Sequence, residues 1–195
     1  MEKVLFISSR PIFPVVCGAQ IRTAQQLGFL LKRFSVDVIY LSDKLDDDVT
    51  MEYVPSVGKV FKFYVPKWKC RLQTVRSIFN KWPLQVNYYY NKDVQLFIDK
   101  CINDYSCVFC NNIRTTQYVM YKKGICKIVD FVDSISMNYE KAYRTAKGIN
   151  RLIYMIDSKR CREYEQKVLD SFDRAAIISE VDKQYILKWR KSYLL

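Results

Sequence analysis

Length and composition indicate one folded domain: the chain has 195 residues, of which 50% are hydrophobic and 15% aromatic, with only five glycines and five prolines. This composition excludes a disordered, collagen-like or low-complexity protein and allows a substantial buried core. The formal net charge of +12 predicts an anionic partner, which could be a nucleic acid, an anionic lipid or a phosphorylated substrate.

The N-terminal sequence predicts a buried strand. The apolar run that begins at Val4 is shorter than a signal-peptide core, and its flanks lack a cleavage site. No apolar stretch approaches the roughly 20 residues that span a bilayer. We therefore expect a cytoplasmic protein, in which the seven scattered cysteines are reduced thiols.

Short apolar runs alternate with helical stretches along the chain. We predict six strands, over residues 4–8, 36–41, 60–65, 107–110, 127–131 and 175–178. Helices are predicted over residues 19–34, 71–80, 92–103, 134–170 and 181–191, with a solvated loop over 44–52. Such alternation is typical of βαβ units, so the predicted fold class is α/β, with a Rossmann-like, doubly wound and mainly parallel sheet between helices on both faces.

The loop after the first strand is the first candidate site. It leads through Cys17, Gly18, Ala19 and Gln20 into a helix that carries Arg22. In open α/β sheets the ligand crevice lies beyond the carboxyl ends of the strands, and a helix N-terminus offers N–H groups to a phosphate. The loop is thus placed to face an anionic ligand, although a single glycine also fits an ordinary βα connection.

Polar residues also follow the fifth and sixth strands. Asp130, Asp133 and Ser134 come at the end of the fifth strand, and Ser179 and Asp182 follow the last one. Asp133 could accept a proton or bind a sugar hydroxyl. In the alternative interpretation, Asp133 or Ser134 caps the next helix, and Ser179 caps the last helix with Asp182 at its third position.

The chain contains no histidine, which excludes Ser-His and Cys-His nucleophilic sites and a histidine base. Cys107 and Cys110 have the CxxC spacing of a zinc-ligand pair, but they lie in a predicted strand, and neither a second pair nor a histidine completes a site. We therefore predict no metal site. Acid–base chemistry is left to Asp, Glu, Lys, Tyr or Cys side chains.

Basic and aromatic residues interleave over residues 61–76, where Trp68 lies between Lys67 and Lys69. Aromatic rings at headgroup level and cations that attract phosphate suit an anionic membrane surface, and the same pattern suits a nucleic acid. A plain solvated helix face is the third interpretation.

In their order along the chain, these segments resemble the N-terminal domain of family 4 glycosyltransferases, which have the GT-B fold. The resemblance rests on an opening strand and loop (Val4 to Pro11, then Pro14, Gly18, Gln20 and Arg22), a segment of aspartate and serine (Asp130, Asp133 and Ser136), a helix rich in arginine and tyrosine (Arg160, Arg162, Tyr164 and Glu165) and a strand end (Phe172, Asp173, Ser179 and Asp182). It extends over nearly the whole chain, although residues 44–103 contribute little. Many members have two adjacent glycines where this chain has Cys17 and Gly18.

The resemblance implies two facing Rossmann-like lobes, of which the N-terminal one holds the acceptor and the other holds a nucleotide sugar. It also implies transfer without a metal or cofactor, in which backbone dipoles and basic residues stabilise the departing diphosphate. Residues 1–195 would then form a single acceptor-side domain. Because the family's donor-binding lobe is missing from these residues, we expect the chain alone to be inactive as a glycosyltransferase of the hexosyltransferase type.

The roles of individual residues are carried over from the positions that match the family. By this resemblance the loop of Cys17, Gly18, Ala19, Gln20 and Arg22 approaches the donor phosphates, and Asp133 is the candidate catalytic residue. The predicted acceptor-binding residues are Asn111, Arg114, Asp130, Ser134, Ser136 and Ser179.

The resulting functional prediction is the acceptor-binding lobe of a glycosyltransferase in surface polysaccharide biosynthesis, which moves a sugar from a nucleotide sugar to a saccharide or lipid-linked acceptor. A basic face would hold the lobe at the anionic inner face of the membrane, at about 1 kcal/mol per well-placed Lys or Arg. The alternative is a non-catalytic Rossmann-like binding module that acts with a partner chain. Nucleic acid is not a predicted partner, because no feature of the sequence other than the net charge supports it.

Overall fold

A parallel sheet of six strands forms the centre of the computed structural model, which describes residues 1–45 and 50–190, with Met51 described by its backbone alone. The strands are β1 (Lys3–Ser8), β2 (Ser35–Ser42), β3 (Val60–Tyr64), β4 (Cys107–Asn111), β5 (Cys126–Asp130) and β6 (Arg174–Ala176). Their order is β3-β2-β1-β4-β5-β6, and every neighbouring pair is parallel. The six predicted strands and the Rossmann-like, doubly wound fold class are confirmed.

Two apolar clusters cover the two faces of the sheet, which explains why the strands are so apolar. Along β1, Leu5 and Ile7 belong to the larger cluster, whereas Val4 and Phe6 belong to the smaller one. This alternation follows from the period of two in a strand. None of the four side chains is more than 3% exposed, and burial of each contributes about 1.5–3 kcal/mol to stability.

Nine helices surround the sheet in the described part of the chain. They are α1 (Gly18–Leu31), α2 (Thr50–Tyr53), α3 (Lys67–Gln73), α4 (Ser77–Asn80), α5 (Leu84–Tyr88), α6 (Lys92–Cys101), α7 (Ile135–Thr145), α8 (Gly148–Ser171) and α9 (Glu180–Arg190), with 3₁₀ turns at Thr74–Arg76, Ile102–Asp104 and Ile113–Tyr118. Helix α1 places Leu27 and Leu30 on the smaller cluster, and α5, α6 and α8 contribute to the larger one.

The predicted helical section over residues 134–170 is divided into α7 and α8. The backbone is extended at Ala146 and Lys147, and the chain resumes the helix at Gly148, whose φ of +58° is tolerated by glycine. The predicted helix over 71–80 begins earlier, at Lys67, and α5 forms in a stretch for which no helix was predicted. Both differences arise from tertiary packing that a local pattern does not encode.

Two predictions fall partly outside the described residues. The predicted loop over 44–52 contains α2 at its end, so that part is wrong, while residues 46–49 lie outside the described residues. The last predicted helix, over 181–191, is observed as α9, and residue 191 lies outside the described residues.

Cys107 and Cys110 face opposite sides of the sheet. Cys110 is buried in the larger cluster, and Cys107 packs against the smaller one. Their thiols therefore diverge, as side chains at an odd spacing in a strand must. Within residues 1–45 and 50–190, every helix is too short or too polar to cross a membrane.

Candidate functional site

The crevice of this sheet lies between β1 and β4. The chain continues from β1 to β2 on one side and from β4 to β5 on the other, so the loops after β1 and β4 diverge. Ligands of open parallel sheets bind at such a switch point, beyond the carboxyl ends of the strands. A cavity of about 310 Å³ is found there, lined by Ser9, Arg10 and Ala19 on one side and by Asn112 and Arg114 on the other.

Arg10 and Arg114 contact the same aromatic ring, that of Tyr89. The guanidinium carbon of Arg10 lies 5.9 Å from the ring centre, and its Nε donates to the Tyr89 hydroxyl at 2.9 Å. The guanidinium carbon of Arg114 lies 5.4 Å from the same centre, and its Nε donates to Oε1 of Gln85 at 2.8 Å. We name the groove lined by Arg10, Tyr89 and Arg114 the arginine cleft.

Three cavities meet at the arginine cleft. Besides the cavity at the switch point, one of about 330 Å³ is lined by both arginines together with Thr74 and Tyr139. Another of about 280 Å³ is lined by Arg10 and Tyr89 and extends towards the end of β2. The cleft therefore runs along the carboxyl edge of the sheet and has room for an elongated ligand.

A tight turn after β4 directs Arg114 into the cleft. Asn112 has a φ of 71° and a ψ of 151°, a backbone conformation that is costly for any residue with a side chain and that the surrounding contacts have to hold. Its side chain caps the 3₁₀ turn that follows by accepting from the N–H of Arg114 at 3.2 Å. The N–H of Asn112 donates to the carbonyl of Asp130 at 2.8 Å, which fixes the turn to the end of β5.

The arginine cleft is positively charged and partly dehydrated. No carboxylate of the described residues lies within ion-pair distance of Arg10 or Arg114. Burial lowers the pKa of the Arg114 guanidinium, and the positive charge of Arg10 acts in the same direction. A bound anion would relieve this effect, because it would supply an opposite charge close to both groups.

Asp133 is the acidic group whose charge acts on Arg114. Burial raises the pKa of the Asp133 carboxyl, against the opposing effects of Arg114 and of the Asn138 amide, which donates to Oδ2 at 2.7 Å. A carboxylate with a raised pKa is a stronger base than an ordinary one. Asp133 therefore has the chemistry of a general base near the cleft, and its catalytic role stays a prediction.

The predicted phosphate loop begins α1 at the switch-point cavity. Gln20 holds the loop together, since its Nε2 donates to the carbonyl of Pro11 at 3.1 Å and its Oε1 accepts from the N–H of Val16 at 3.0 Å. Cys17 is the N-cap residue of α1. A Cβ atom added at Gly18 would meet nothing within 4 Å, so the glycine leaves open space at the helix N-terminus. Contact with donor phosphates stays a prediction.

Arg22 and Asp130, which were predicted to contact different substrates, bind each other. Arg22 donates from Nε to Oδ2 of Asp130 at 2.7 Å and from Nη2 to Oδ1 at 2.6 Å. The Gln26 amide also donates to Asp130, which is fully buried. The structure therefore joins both charges in a link between α1 and the end of β5, in which the Asp130 side chain is buried and the Arg22 side chain is partly exposed.

Ser134 and Ser136 face the interior rather than the cleft. Both are fully buried, and both hydroxyls contact the carboxylate of Glu165 on α8. Ser134 caps α7 by accepting from the N–H of Met137 at 3.2 Å, which confirms the cap interpretation. The structure assigns these serines to the packing of α7 on α8, because an acceptor could reach them only if that packing opened.

The other two residues predicted to bind the sugar acceptor, Ser179 and Asn111, form hydrogen bonds within the protein. Ser179 accepts from the N–H of Asp182 at 3.2 Å at the start of α9, which confirms that cap as well. Asn111 donates to Oε1 of Gln26 at 3.0 Å and accepts from the Thr23 hydroxyl at 3.3 Å, while it also lines the switch-point cavity. Of the predicted acceptor residues, Arg114 therefore has the most direct access to the cleft.

Sequence reasoning missed the aromatic part of the site. The two tyrosines Tyr89 and Tyr139 line the cleft together with Gln85, but all three belong to segments without a motif. Arg10 carried a usable signal, because it lies two residues beyond the last residue of β1, Ser8, and the carboxyl ends of parallel strands form the ligand crevice.

No protein-family model matches the chain, and no curated protein matches its sequence. Among solved structures, sucrose-phosphate synthase from Thermosynechococcus elongatus superposes with a TM-score of 0.52 at 12% identity, over 96% of this chain and 82% of that one. UGT2 of Phytolacca americana, complexed with UDP-2fluoro-glucose and pterostilbene, has a TM-score of 0.49 at 10% identity, over 93% of this chain and 48% of that one. The likeness to the first structure shows that the chain shares its Rossmann-like fold.

Proposed function

We propose that this domain is the acceptor-binding lobe of a glycosyltransferase. It binds a phosphate-bearing saccharide or lipid-linked saccharide and acts with a donor-binding lobe, in the same or another chain, that holds the nucleotide sugar. The observation that carries the proposal is the arginine cleft at the switch point of a Rossmann-like sheet.

The fold and the sequence motifs support sugar transfer. The chain has the fold of a sucrose-phosphate synthase structure, and its motifs resemble those of family 4 glycosyltransferases. Because one fold hosts many functions, the function has to be inferred from the residues of the site.

The chemistry of the cleft supports an acceptor that is both anionic and sugar-like. Guanidinium groups offer forked donors that bind phosphate oxygens in pairs, and Arg10 and Arg114 lack a carboxylate partner within the described residues. The ring of Tyr89 lines a cavity together with both arginines, and a sugar ring can pack on its apolar surface.

Asp133 serves as the base in this proposal. Its carboxylate takes the proton of the acceptor hydroxyl as that oxygen attacks the anomeric carbon, and the nucleoside diphosphate leaves with the bonding electrons. The raised pKa of Asp133, caused by burial, suits this step. The donor phosphates lie at the N-terminus of α1, where Gly18 leaves open space and the helix dipole favours negative charge. The nucleotide sugar is the donor substrate, and the proposal includes no cofactor or metal.

We further propose that the lobe works in surface polysaccharide biosynthesis, as a peripheral protein at the cytoplasmic face of the membrane. Hexosyl transfer then requires both lobes, so residues 1–195 alone would be inactive. The net charge of +12 supports a location beside anionic lipid.

Titration calorimetry tests the proposal. Farnesyl diphosphate serves as a soluble probe of a lipid diphosphate, and farnesol serves as its uncharged control. We expect the diphosphate alone to bind, and Arg114→Gln to weaken it at least ten-fold, by about 1.4 kcal/mol or more. Asp133→Asn, which removes the base and no cation, should bind it at least as well as the native chain. Equal binding of farnesol, or no effect of Arg114→Gln, would rule out the proposed site.

A non-catalytic module that acts with a partner chain is the second candidate. It is favoured by the exposed apolar side chains on the first half of α8, where Ile149, Leu152 and Met155 are 68%, 48% and 47% exposed. This alternative predicts that the chain binds neither farnesyl diphosphate nor UDP-glucose, and that Leu152→Ser prevents its assembly with a second polypeptide.

A further inference from the structure

An apolar stripe is exposed along α3 and α4. Trp68, Leu72, Val75 and Phe79 recur at spacings of four, three and four residues, and they are 67%, 63%, 48% and 82% exposed. Ile78, beside them, is 70% exposed. These spacings place the four side chains on one face of a helix. The face is continuous, because α3, the 3₁₀ turn Thr74–Arg76 and α4 follow one another without a gap.

The opposite face of the same segment attaches it to the domain. Cys70 and Ser77, seven residues apart, are 6% and 1% exposed. Cys70 packs in the larger cluster, and the Ser77 hydroxyl accepts from the Asn87 amide at 2.8 Å. A surface helix normally turns its large apolar side chains inward. Here the small side chains are inside and the large apolar ones are in solvent.

The charged residues of this segment are all basic. The segment over residues 67–82 contains five basic residues and no acidic one, the basic ones being Lys67, Lys69, Arg71, Arg76 and Lys81. Lys67 pairs with Asp43 at 2.9 Å, and the guanidinium carbon of Arg76 lies 4.2 Å from the centre of the Tyr90 ring. The other three have no ion-pair partner in the described part of the chain. We name residues 67–81 the docking segment.

We propose that the docking segment binds an anionic lipid bilayer, with Trp68, Leu72 and Phe79 inserted at the level of the headgroups and Lys69, Arg71 and Lys81 against lipid phosphates. Large apolar side chains on a segment whose own charged residues are all basic complement such a surface in both polarity and charge. A tryptophan at the edge of the stripe suits the boundary between headgroups and acyl chains.

The position of the segment also relates the bilayer to the cleft. Thr74, within the docking segment, lines the same cavity as Arg10 and Arg114. A membrane bound at the docking segment would therefore place lipid headgroups beside the arginine cleft. The inference deepens the membrane location that forms part of the proposed function, by naming the segment responsible. It does not depend on what the cleft binds.

Co-sedimentation with vesicles tests the apolar contribution. The vesicles contain phosphatidylcholine with about one third phosphatidylglycerol, and the full chain is used. We expect Leu72→Ser and Phe79→Ser each to lower the vesicle affinity about ten-fold. Val181→Ser on α9 is the matched control, because Val181 is apolar, lies outside the docking segment and is 68% exposed, between Leu72 at 63% and Phe79 at 82%. This variant should bind as the native chain does. Circular dichroism of each variant verifies the fold.

Charge and insertion are tested separately. Lys69→Gln with Arg71→Gln should weaken binding, and raising the salt from about 0.1 M to about 1 M, which shortens the Debye length from about 10 Å to about 3 Å, should do the same. Tryptophan emission should shift to the blue on vesicles in the native chain and not in Trp68→Phe.

Three outcomes would overturn the proposal. They are equal binding to pure phosphatidylcholine, equal binding of the serine variants, and a Leu72→Ser change that instead separates a dimer of this chain. Calorimetry with farnesyl diphosphate tests the cleft and vesicle sedimentation tests the docking segment, so a failure of the one can be told apart from a failure of the other.

Discussion

The hydroxyl of Ser136 donates a 2.5 Å hydrogen bond to Oε2 of Glu165, and the N–H of Ser136 donates to Oε1 at 3.1 Å. The pair fastens the first turn of α7 to the second half of α8, where Glu165 is 1% exposed. Burial raises the pKa of this carboxyl to about 7, although the bonds from Ser136 and Ser134 oppose the rise. The interior therefore holds an acid that titrates near neutral pH.

We expect the free energy of unfolding to fall as the pH rises from about 4.5 through about 7. The folded pKa of Glu165 lies above its ordinary value of 4.5, so the folded chain binds the proton more tightly, and that contribution is lost as the pH rises through the folded pKa. Glu165→Gln mimics the neutral acid and should make this fall shallower, leaving the part caused by Asp157, whose pKa burial raises to about 6. Urea denaturation at about pH 5 and about pH 8 measures it, and an equally steep fall in the variant would contradict the assignment to Glu165.

Removal of Arg22 should be strongly destabilising. Its side chain is 23% exposed, whereas that of its partner Asp130 is 0% exposed, so Arg22→Gln would leave a carboxylate buried without its cation. The expected loss is about 3 kcal/mol. Asp130→Asn should cost less, because Arg22 can turn towards water. Denaturation of both variants and of the double variant measures the coupling, and losses that simply add would show that the two residues stabilise the fold independently.

The strands could be predicted because buried parallel strands are continuous apolar runs, and the run from Val4 to Ile7 is one. The break between α7 and α8 could not be placed in the same way. Ala146 and Lys147 are good helix formers, and Gly148 alone gave a local sign of an interruption. Packing of α7 against α8 decides where the chain turns, and packing is a property of the whole fold.

For the candidate site, the sequence indicated the correct edge of the sheet and not the partners on it. Position after a strand was enough to place the loop of Cys17, Ala19 and Gln20 at the switch-point cavity. The contact of Arg10 with Tyr89 joins residues 79 apart, and that of Arg22 with Asp130 joins residues 108 apart. Such pairs follow from the order of the strands, which a single sequence does not reveal.

At the amino edge of the sheet, Gly58 leaves the space that Asp37 occupies. A Cβ atom at Gly58 would lie 2.4 Å from Oδ1 of Asp37. The carboxylate cannot move aside freely, because it accepts from the Lys59 N–H at 2.7 Å and the Tyr105 hydroxyl at 2.8 Å and pairs with Lys3 at 2.9 Å. Gly58→Ala should therefore lower the free energy of unfolding by about 1–3 kcal/mol.

Gly28→Ala is the matched control for this change. A Cβ atom there meets nothing within 4 Å, and Gly28 lies inside α1. Alanine should raise the free energy of unfolding by about 0.5–1 kcal/mol, because it removes the entropic cost of a helical glycine. Thermal denaturation of the two variants measures both signs, and a loss at Gly28 as large as that at Gly58 would show that the contact with Asp37 is not the cause.

Replacement of Tyr89 should weaken anion binding without removing any charge. Tyr89→Leu deletes the ring that both guanidinium groups contact, at 5.9 Å for Arg10 and 5.4 Å for Arg114. With about 0.5–1 kcal/mol for each contact, we expect the affinity for inorganic pyrophosphate to fall about ten-fold. Tyr89→Phe keeps the ring and loses only the hydroxyl that accepts from Arg10, so its loss should be smaller. Tyr121→Leu, at a tyrosine that is 71% exposed, should have no effect. Titration calorimetry gives the three values, and equal affinities for the leucine and phenylalanine variants would show that the ring does not position the two arginines.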